Sequence, residues 1–149
     1  MAVYKVLEVG NKVLREQAKD VPKITKNIIK LLDNMADTLY DAKGLGLAAP
    51  QVGVSKRVVV IDVGEGLLEL INPEILESDG ERVISEGCLS VPGVFFDVPR
   101  PEKVRVRFTD RHGVEQVVWA DDMLARVVQH EIDHLDGIIF TDLPGEPTK

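Results

Sequence analysis

Two histidines that lie four residues apart are the feature of this sequence that points most directly to chemistry. They enclose a glutamate in the run His130-Glu131-Ile132-Asp133-His134. On an α-helix such residues lie one above the other, with Cβ atoms roughly 5–6 Å apart, so both imidazoles can bind one metal ion. A metal lowers the pKa of a water molecule that it binds, and the neighbouring Glu131 can then accept the proton. The spacing therefore predicts a metal-dependent hydrolase rather than two unrelated histidines.

A catalytic metal site of this kind requires a third protein ligand and one open position. Downstream of the histidines, the available carboxylates are Asp136, Asp142 and Glu146, which lie close behind the predicted helix or in the tail. Upstream, Cys88 is the single cysteine of the chain, and it lies in a glycine-flanked segment, EGCLSVPG, at residues 86–93. An unpaired cysteine is more often a small buried residue. Because a thiolate and two imidazoles suit a tetrahedral zinc or ferrous ion, Cys88 is the preferred candidate here.

A third segment, GLGLAAPQVG at residues 44–53, is rich in small residues. Small side chains let two stretches of backbone come close together, and Gln51 adds a side-chain amide that can donate a hydrogen bond. The segment lacks the lysine and the serine or threonine of a phosphate-binding loop, and no predicted strand immediately precedes it. Taken alone, it indicates only the end of a helix followed by a turn.

Two helices are predicted to position these groups. The helix over residues 121–135 carries both histidines, and leucines and valines at helical spacing give it an apolar face. An N-terminal helix over residues 25–43 shows the same spacing, with Thr25 as its N-cap and Gly44 as the left-handed residue at its C-terminal end. A shorter helix is predicted over residues 11–18.

The middle of the chain predicts strands, because its apolar runs are rich in β-branched residues. Their expected ranges are 57–63, 67–72, 81–85, 95–98, 103–108 and 114–119. Strands grouped between helices indicate an α+β fold with mainly antiparallel sheets, packed around the central helix that carries the histidines. We expect one catalytic domain over residues 1–149, because neither a linker nor a repeat divides the chain.

Composition excludes several classes of function. The formal net charge of −7 argues against a nucleic-acid-binding protein, which needs a basic surface to displace counterions. We expect no membrane association, because the sequence contains no apolar stretch near the roughly 18 residues of a membrane span. The first residues also contain no apolar run of signal-peptide length. A cytoplasmic protein with a reduced thiol is therefore expected.

The three segments occur in the same order as the three motifs of the peptide deformylases, GxGxAAxQ, EGCxS and HExDH. In this chain they are GLGLAAPQ at residues 44–51, EGCLS at residues 86–90 and HEIDH at residues 130–134. The chain therefore resembles the peptide deformylase family from about Tyr4 to Leu143. The resemblance implies an enzyme that removes the formyl group from the N-terminal formyl-methionine of newly synthesised bacterial proteins.

The resemblance also implies roles for individual residues. It implies a divalent metal ion bound by three ligands, Cys88, His130 and His134, with Glu131 as the general acid/base. The Gln51 side chain and the Leu89 backbone N–H would stabilise the oxyanion that forms on the formyl carbon. Ferrous iron is the expected native ion, and zinc, nickel or cobalt also suit this set of ligands.

The substrate would lie extended between the first two motifs, pairing with the backbone as an added strand. The residues implied for binding it are Leu45, Gly46, Ile84, Glu86, Gly87, Met123 and Val127, together with the ring of His130. Glu86 would pair with Arg100 and support the cysteine loop. The alternative for that pair is two separately solvated surface charges.

Two other interpretations are kept beside this one. A general metallopeptidase would share the histidine helix but would not need Cys88 or Gln51 in these contexts. A metal-binding scaffold with a closed site of four ligands would need the remaining histidine, His112. The metallopeptidase would cleave unformylated peptides rather than the formylated nascent polypeptides expected as partners of a deformylase.

Two departures from the family pattern are visible. Val9-Gly10-Asn11 replaces the proline-containing turn that is usual before the Leu14-Arg15 pair. Many members continue into a long C-terminal helix, whereas this sequence ends at Lys149. We expect a monomer. The sequence does not determine docking on the ribosome, the native metal or any sequence preference beyond the first methionine.

Overall fold

The computed structural model describes residues 2–149 and contains two α-helices, α1 (Lys26–Ala42) and α2 (Asp122–Leu135). The eight strands are β1 (Gly46–Ala48), β2 (Val58–Ile61), β3 (Leu68–Asp79), β4 (Arg82–Cys88), β5 (Val91–Arg100), β6 (Lys103–Thr109), β7 (Glu115–Asp121) and β8 (Glu146–Pro147). Three short 3₁₀ helices cover Lys12–Arg15, Ala49–Val52 and Phe140–Asp142. None of the helices in this part of the chain is long and apolar enough to cross a membrane.

The strands form two antiparallel sheets, which confirms the α+β prediction. The larger sheet has the order β1-β2-β3-β6-β7, and the smaller sheet has the order β4-β5-β8. Strand β1 is therefore an edge of the larger sheet, and β4 is an edge of the smaller one. Helix α2 packs its apolar residues, Val128, Ile132 and Leu135 among them, into the core formed by the larger sheet.

Helix α1 covers another part of the larger sheet and begins as predicted. The Thr25 hydroxyl accepts a hydrogen bond from the backbone N–H of Ile28 at 3.3 Å, and Leu32, Met35 and Leu39 are fully buried. Its C-terminal end differs from the prediction, because the left-handed residue is Lys43, with φ of 56°, rather than Gly44. The Gly44 N–H instead donates to the carbonyl of Leu39 at 3.1 Å.

The helix predicted over residues 11–18 is wrong: only the 3₁₀ turn Lys12–Arg15 forms there. The backbone after this turn forms hydrogen bonds with segments that are distant in the sequence. The Ala18 N–H donates to the carbonyl of Leu135 at 2.7 Å, and the Lys19 carbonyl accepts from Arg57 at 2.9 Å. The segment is extended because these contacts with the end of α2 and with Arg57 replace helical hydrogen bonds.

Strand β3 runs seven residues further than its predicted end, to Asp79, and continues past Pro73. A proline interrupts a sheet because it has no N–H to donate. Here the pairing with β6 shifts its register between Ile71 and Glu74, so that Asn72 and Pro73 lie in the irregularity. Asn72 has a φ of 52°, and its side chain binds both the N–H and the carbonyl of Val21 at 2.8 Å.

Gly137 ends the α2 region and provides a test of how this end is packed. It has a φ of 74°, and a Cβ at this position would lie 2.6 Å from the carbonyl oxygen of Arg15. Gly137→Ala should cost about 1 kcal/mol for the left-handed backbone and about 2 kcal/mol more for the overpacking. Urea unfolding measures the change in the free energy of unfolding.

Gly113→Ala is the matched control, because Gly113 also has a positive φ, 81°, but has open space around it. It should show only the smaller, conformational loss. Equal losses of unfolding free energy in the two variants would show that the backbone of Arg15 moves away from a methyl group at position 137 without cost.

Candidate active site

Three side chains that could hold a metal ion, one from β4 and two from α2, come together in the structure. The ligand atoms of Cys88, His130 and His134 all lie within 4.8 Å of one another. The Cys88 sulfur is 3.2 Å from Nε2 of His134, and the two imidazole rings are 5.1 Å apart. Cys88 arrives from the end of β4, whereas the histidines lie one turn apart on the helix. The sequence predicted these three residues as a group, and the structure brings them together.

The other candidate ligands lie elsewhere. Asp136 pairs with Arg57 at 3.0 Å, Asp142 pairs with Arg15, and Glu146 is on the exposed strand β8. His112 lies in the exposed hairpin turn between β6 and β7. None of these four belongs to the group formed by Cys88 and the two histidines.

The donor set fits a divalent transition-metal ion. One sulfur and two imidazole nitrogens match the three protein ligands of a tetrahedral site that keeps one position open. Beside them, Glu131 is buried, and its Oε1 has no hydrogen-bond partner among residues 2–149. Buried polar atoms are normally hydrogen-bonded, so this arrangement suits a carboxylate that acts on a bound water or substrate.

Glu86 connects the cysteine strand to the helix. Its carboxylate accepts hydrogen bonds from Arg100 at 2.5 and 3.0 Å, from Arg126 at 2.7 Å and from Nδ1 of His130 at 2.9 Å. Burial by itself raises the pKa of Glu86, but the hydrogen bonds from these three partners outweigh it and lower the pKa to about 2. Because Nδ1 of His130 is held by Glu86, Nε2 is the nitrogen left to bind a metal.

Gln51 lies on the other side of the cysteine. Its Oε1 accepts from the Ala48 backbone N–H at 2.9 Å, and its Nε2 donates to the Ser90 hydroxyl at 3.0 Å. The same Nε2 is 3.7 Å from the Cys88 sulfur. The buried amide is therefore held in one orientation, with its donor end toward the turn that contains Cys88 and Leu89.

A cleft of about 540 Å³ opens beside these groups, between the edge strands β1 and β4. Of the residues predicted to bind substrate, those that line it are Leu45, Gly46, Glu86, Gly87, Met123, Val127 and His130. Ile84 lies outside this lining, nearer the start of β4, where it faces Val98 across the hairpin. The neighbouring Ser85 lines the cleft instead.

Comparison with known proteins identifies the family. The family model described as polypeptide deformylase matches residues 3–147. The chain belongs to the polypeptide deformylase family. A peptide deformylase of Pelotomaculum thermopropionicum is 61% identical over 142 residues, which cover 95% of this chain and 92% of the relative. One from Desulfitobacterium hafniense is also 61% identical, over 95% of both chains.

The fold agrees with solved structures of the family. The crystal structure of peptide deformylase from Thermotoga maritima superimposes with a TM-score of 0.94 at 42% identity. The match covers 96% of this chain and 98% of that structure. Family membership makes this chain a hydrolase that acts on formyl-methionine peptides.

Sequence analysis missed several residues of the deformylase cleft, among them Lys43, Phe95 and Arg126. Arg126 could have been found, because it lies one turn before His130 on the same face of α2. Phe95 could not, since its position depends on the register of the β4–β5 hairpin. Its ring packs so closely on Gly87 that a Cβ there would lie 2.7 Å from the nearest ring carbon.

The glycine of β1 packs directly against the helix of the deformylase site. A Cβ on Gly46 would lie 2.6 Å from the Val127 side chain and 2.8 Å from Oε2 of Glu131. Gly46→Ala should therefore displace the Glu131 carboxylate and lower kcat/KM on a formylated peptide by about a hundredfold, the effect of a displacement near 1 Å. The measurement is steady-state deformylation per mole of folded protein.

Gly64→Ala is the control, because Gly64 lies in the turn between β2 and β3 with open space around it. It should cost stability but leave kcat/KM per folded molecule unchanged. If Gly46→Ala were as active as this control, the close contact between β1 and Glu131 would be irrelevant to turnover.

Proposed function

We propose that the chain removes the formyl group from N-terminal formyl-methionine by a metal-dependent hydrolysis carried out in the cleft between β1 and β4. The observation that carries the proposal is that residues of all three sequence motifs line this one cleft. In this proposal Cys88, His130 and His134 hold one divalent ion. Ferrous iron is the proposed native ion, and zinc, nickel and cobalt are ions that the same ligands accept.

The ion would act as a Lewis acid and lower the pKa of a water molecule. The role proposed for Glu131 is to accept the proton of this water and return it to the amine that leaves as the formamide bond breaks. Burial raises the pKa of Glu131 to about 7, which suits a group that takes up and releases a proton near neutral pH. Gly46 leaves room for this carboxylate at the edge of β1, because a Cβ there would lie 2.8 Å from Oε2 of Glu131.

The negative charge that develops on the formyl oxygen needs fixed hydrogen-bond donors. We assign this role to Nε2 of Gln51 and to the backbone N–H of Leu89. The Ala48 N–H holds the Gln51 amide in place, so that its donor does not have to reorient during the reaction. Each such donor is typically worth about 3 kcal/mol of transition-state stabilisation.

Two unpaired strand edges flank the cleft, and this arrangement suits an extended peptide. Its backbone would pair with β1 and β4 as an added strand. The methionine side chain would enter the part of the cleft lined by Leu45, Met123 and Val127. We propose that the substrates are nascent polypeptides, that the enzyme meets them in the cytoplasm and that it acts as a monomer.

The enzymatic alternative, a general metallopeptidase, differs in its substrate. A pair of peptides that differ only in the formyl group, formyl-Met-Ala-Ser and Met-Ala-Ser, distinguishes the two. We expect formate release from the first peptide and no cleavage of the second. Cleavage of the unformylated peptide without formate release from its partner would contradict the proposed function.

Glu131→Gln tests the proton-transfer role while keeping the size of a buried side chain. We expect a fall in kcat of at least about a hundredfold, because an amide cannot accept the proton. Bound metal, measured by atomic emission, should stay at the parent level. Near-parent turnover in a metal-loaded Glu131→Gln protein would remove Glu131 from the mechanism.

Cys88→Ser tests the metal site itself. A neutral hydroxyl is a poor substitute for a thiolate, so the variant should lose most of its affinity for zinc and cobalt. Competition with a chelator measures this affinity directly and does not depend on activity. If the variant binds metal and deformylates like the parent, Cys88 is only a small buried residue.

A further inference from the structure

Arg126 is a buried arginine that none of the roles above uses. It lies on α2 one turn before His130, and its side chain is 5% exposed. A buried guanidinium is costly unless all its donors find acceptors. Because Arg126 lines the cleft beside the candidate metal ligands, its burial needs a physical explanation.

The guanidinium joins the helix to both strands of the hairpin that carries Cys88. Its Nη2 donates to the carbonyl of Arg82 on β4 at 2.7 Å, and its Nη1 donates to the carbonyl of Val98 on β5 at 2.6 Å. The same Nη1 donates to Oε2 of Glu86 at 2.7 Å. One side chain thus fixes β4 and β5 relative to α2.

The two oxygens of Glu86 have different partners. Oε1 accepts from Nδ1 of His130 at 2.9 Å and from Nη2 of Arg100 at 3.0 Å. Oε2 accepts from Nε of Arg100 at 2.5 Å and from Arg126. Arg126 therefore holds the oxygen opposite to the one that His130 uses, and it opposes rotation of the carboxylate away from the imidazole.

Arg100 binds both oxygens of Glu86, but it is shared with a second carboxylate. Its remaining nitrogen, Nη1, is paired with Asp133 at 2.8 Å, so any movement of that carboxylate also pulls on Arg100. The buried group as a whole contains two arginines, Arg100 and Arg126, and two carboxylates, Glu86 and Asp133. Loss of Arg126 leaves this group with one uncompensated negative charge and Glu86 with one donor fewer.

We propose that Arg126 is a positioning residue for the metal site. It acts through Glu86 to aim Nε2 of His130, and through the hairpin to keep Cys88 at its distance from the helix. The inference rests on the proposed function, because it assumes that Cys88, His130 and His134 bind the metal. Changes to groups that orient metal ligands typically lower metal affinity by about 10- to 100-fold.

Arg126→Met tests the proposal by removing the donors while keeping an unbranched apolar stem. Its matched control is Arg57→Met. Arg57 is also a mostly buried arginine bound to α2, through the Leu135 carbonyl at 3.1 Å and Asp136, but none of its hydrogen bonds or ion pairs involves Glu86. Both variants should lose stability, whereas only Arg126→Met should alter the metal site.

The readouts are the dissociation constant for cobalt, from competition with a chelator, and the visible spectrum of the cobalt-loaded protein. Cobalt bound to a thiolate gives a charge-transfer band, and its d–d bands report the geometry of the ligands. For Arg126→Met we expect about 10-fold weaker binding or more, with shifted d–d bands. For Arg57→Met we expect the parent constant and the parent spectrum.

Parent affinity and parent spectrum in a folded Arg126→Met protein overturn the proposal, and so does an equal change in Arg57→Met. If Arg126→Met fails to fold, Arg126→Lys is compared with Arg57→Lys by the same criteria. The lysine variant still tests the proposal, because one ammonium group cannot reach all three acceptors of the Arg126 guanidinium. The parent protein is measured first. A parent without the thiolate band contradicts the proposed ligand set, whereas a normal parent with an unaffected Arg126 variant contradicts only this inference.

Discussion

The buried carboxylate of Glu86 joins three of the elements that line the cleft, β4, β5 and α2. It extends from β4, accepts hydrogen bonds from Arg100 on β5, and accepts two more from Arg126 and His130 on α2. Removing one partner from a buried ion pair typically costs about 3–5 kcal/mol, because the other charge is then left without compensation. The hairpin and the helix are consequently held in one relative position, and the distance between Cys88 and the two histidines follows from that position.

Helix α2 buries apolar side chains on one face and polar side chains on the other. Its apolar face packs against the larger sheet, where Val128 and Leu135 are almost completely buried. Its other face carries polar side chains, His130 and Glu131 among them, that are buried as well. A helix can bury polar groups only where partners or ligands satisfy them. The smaller sheet supplies many of these partners, so it is part of the site as well as part of the fold.

The glycines of the motifs allow close approach rather than supplying chemistry. Gly44 lies against Leu89, Gly46 against Val127 and Glu131, and Gly87 against the ring of Phe95. At each position a methyl group would occupy space already filled by a neighbouring side chain. The first two motifs therefore contain an amide and a thiol, those of Gln51 and Cys88, set among residues whose small size brings these side chains close to the helix.

The sequence by itself was sufficient for the features that depend on short-range periodicity. The spacing of His130 and His134, the apolar faces of both helices, the Thr25 cap and the strands at 103–108 and 114–119 follow from neighbouring residues, and each is present in the structure. The family resemblance followed from the order of three short motifs, and the match over residues 3–147 confirms it. Local hydrogen bonds and helical or strand periodicity determine such features, so their signal lies within a few residues.

Only the tertiary structure decided the rest. The extended path at Ala18 and the passage of β3 beyond Pro73 depend on partners far away in the chain, which override local preference. The position of Phe95 in the cleft depends on hairpin register, and the hydrogen bonds of Arg126 to Arg82 and Val98 depend on how the hairpin packs against α2. Strand register and helix packing are set by contacts between distant segments, and a sequence pattern that describes one segment at a time does not contain them.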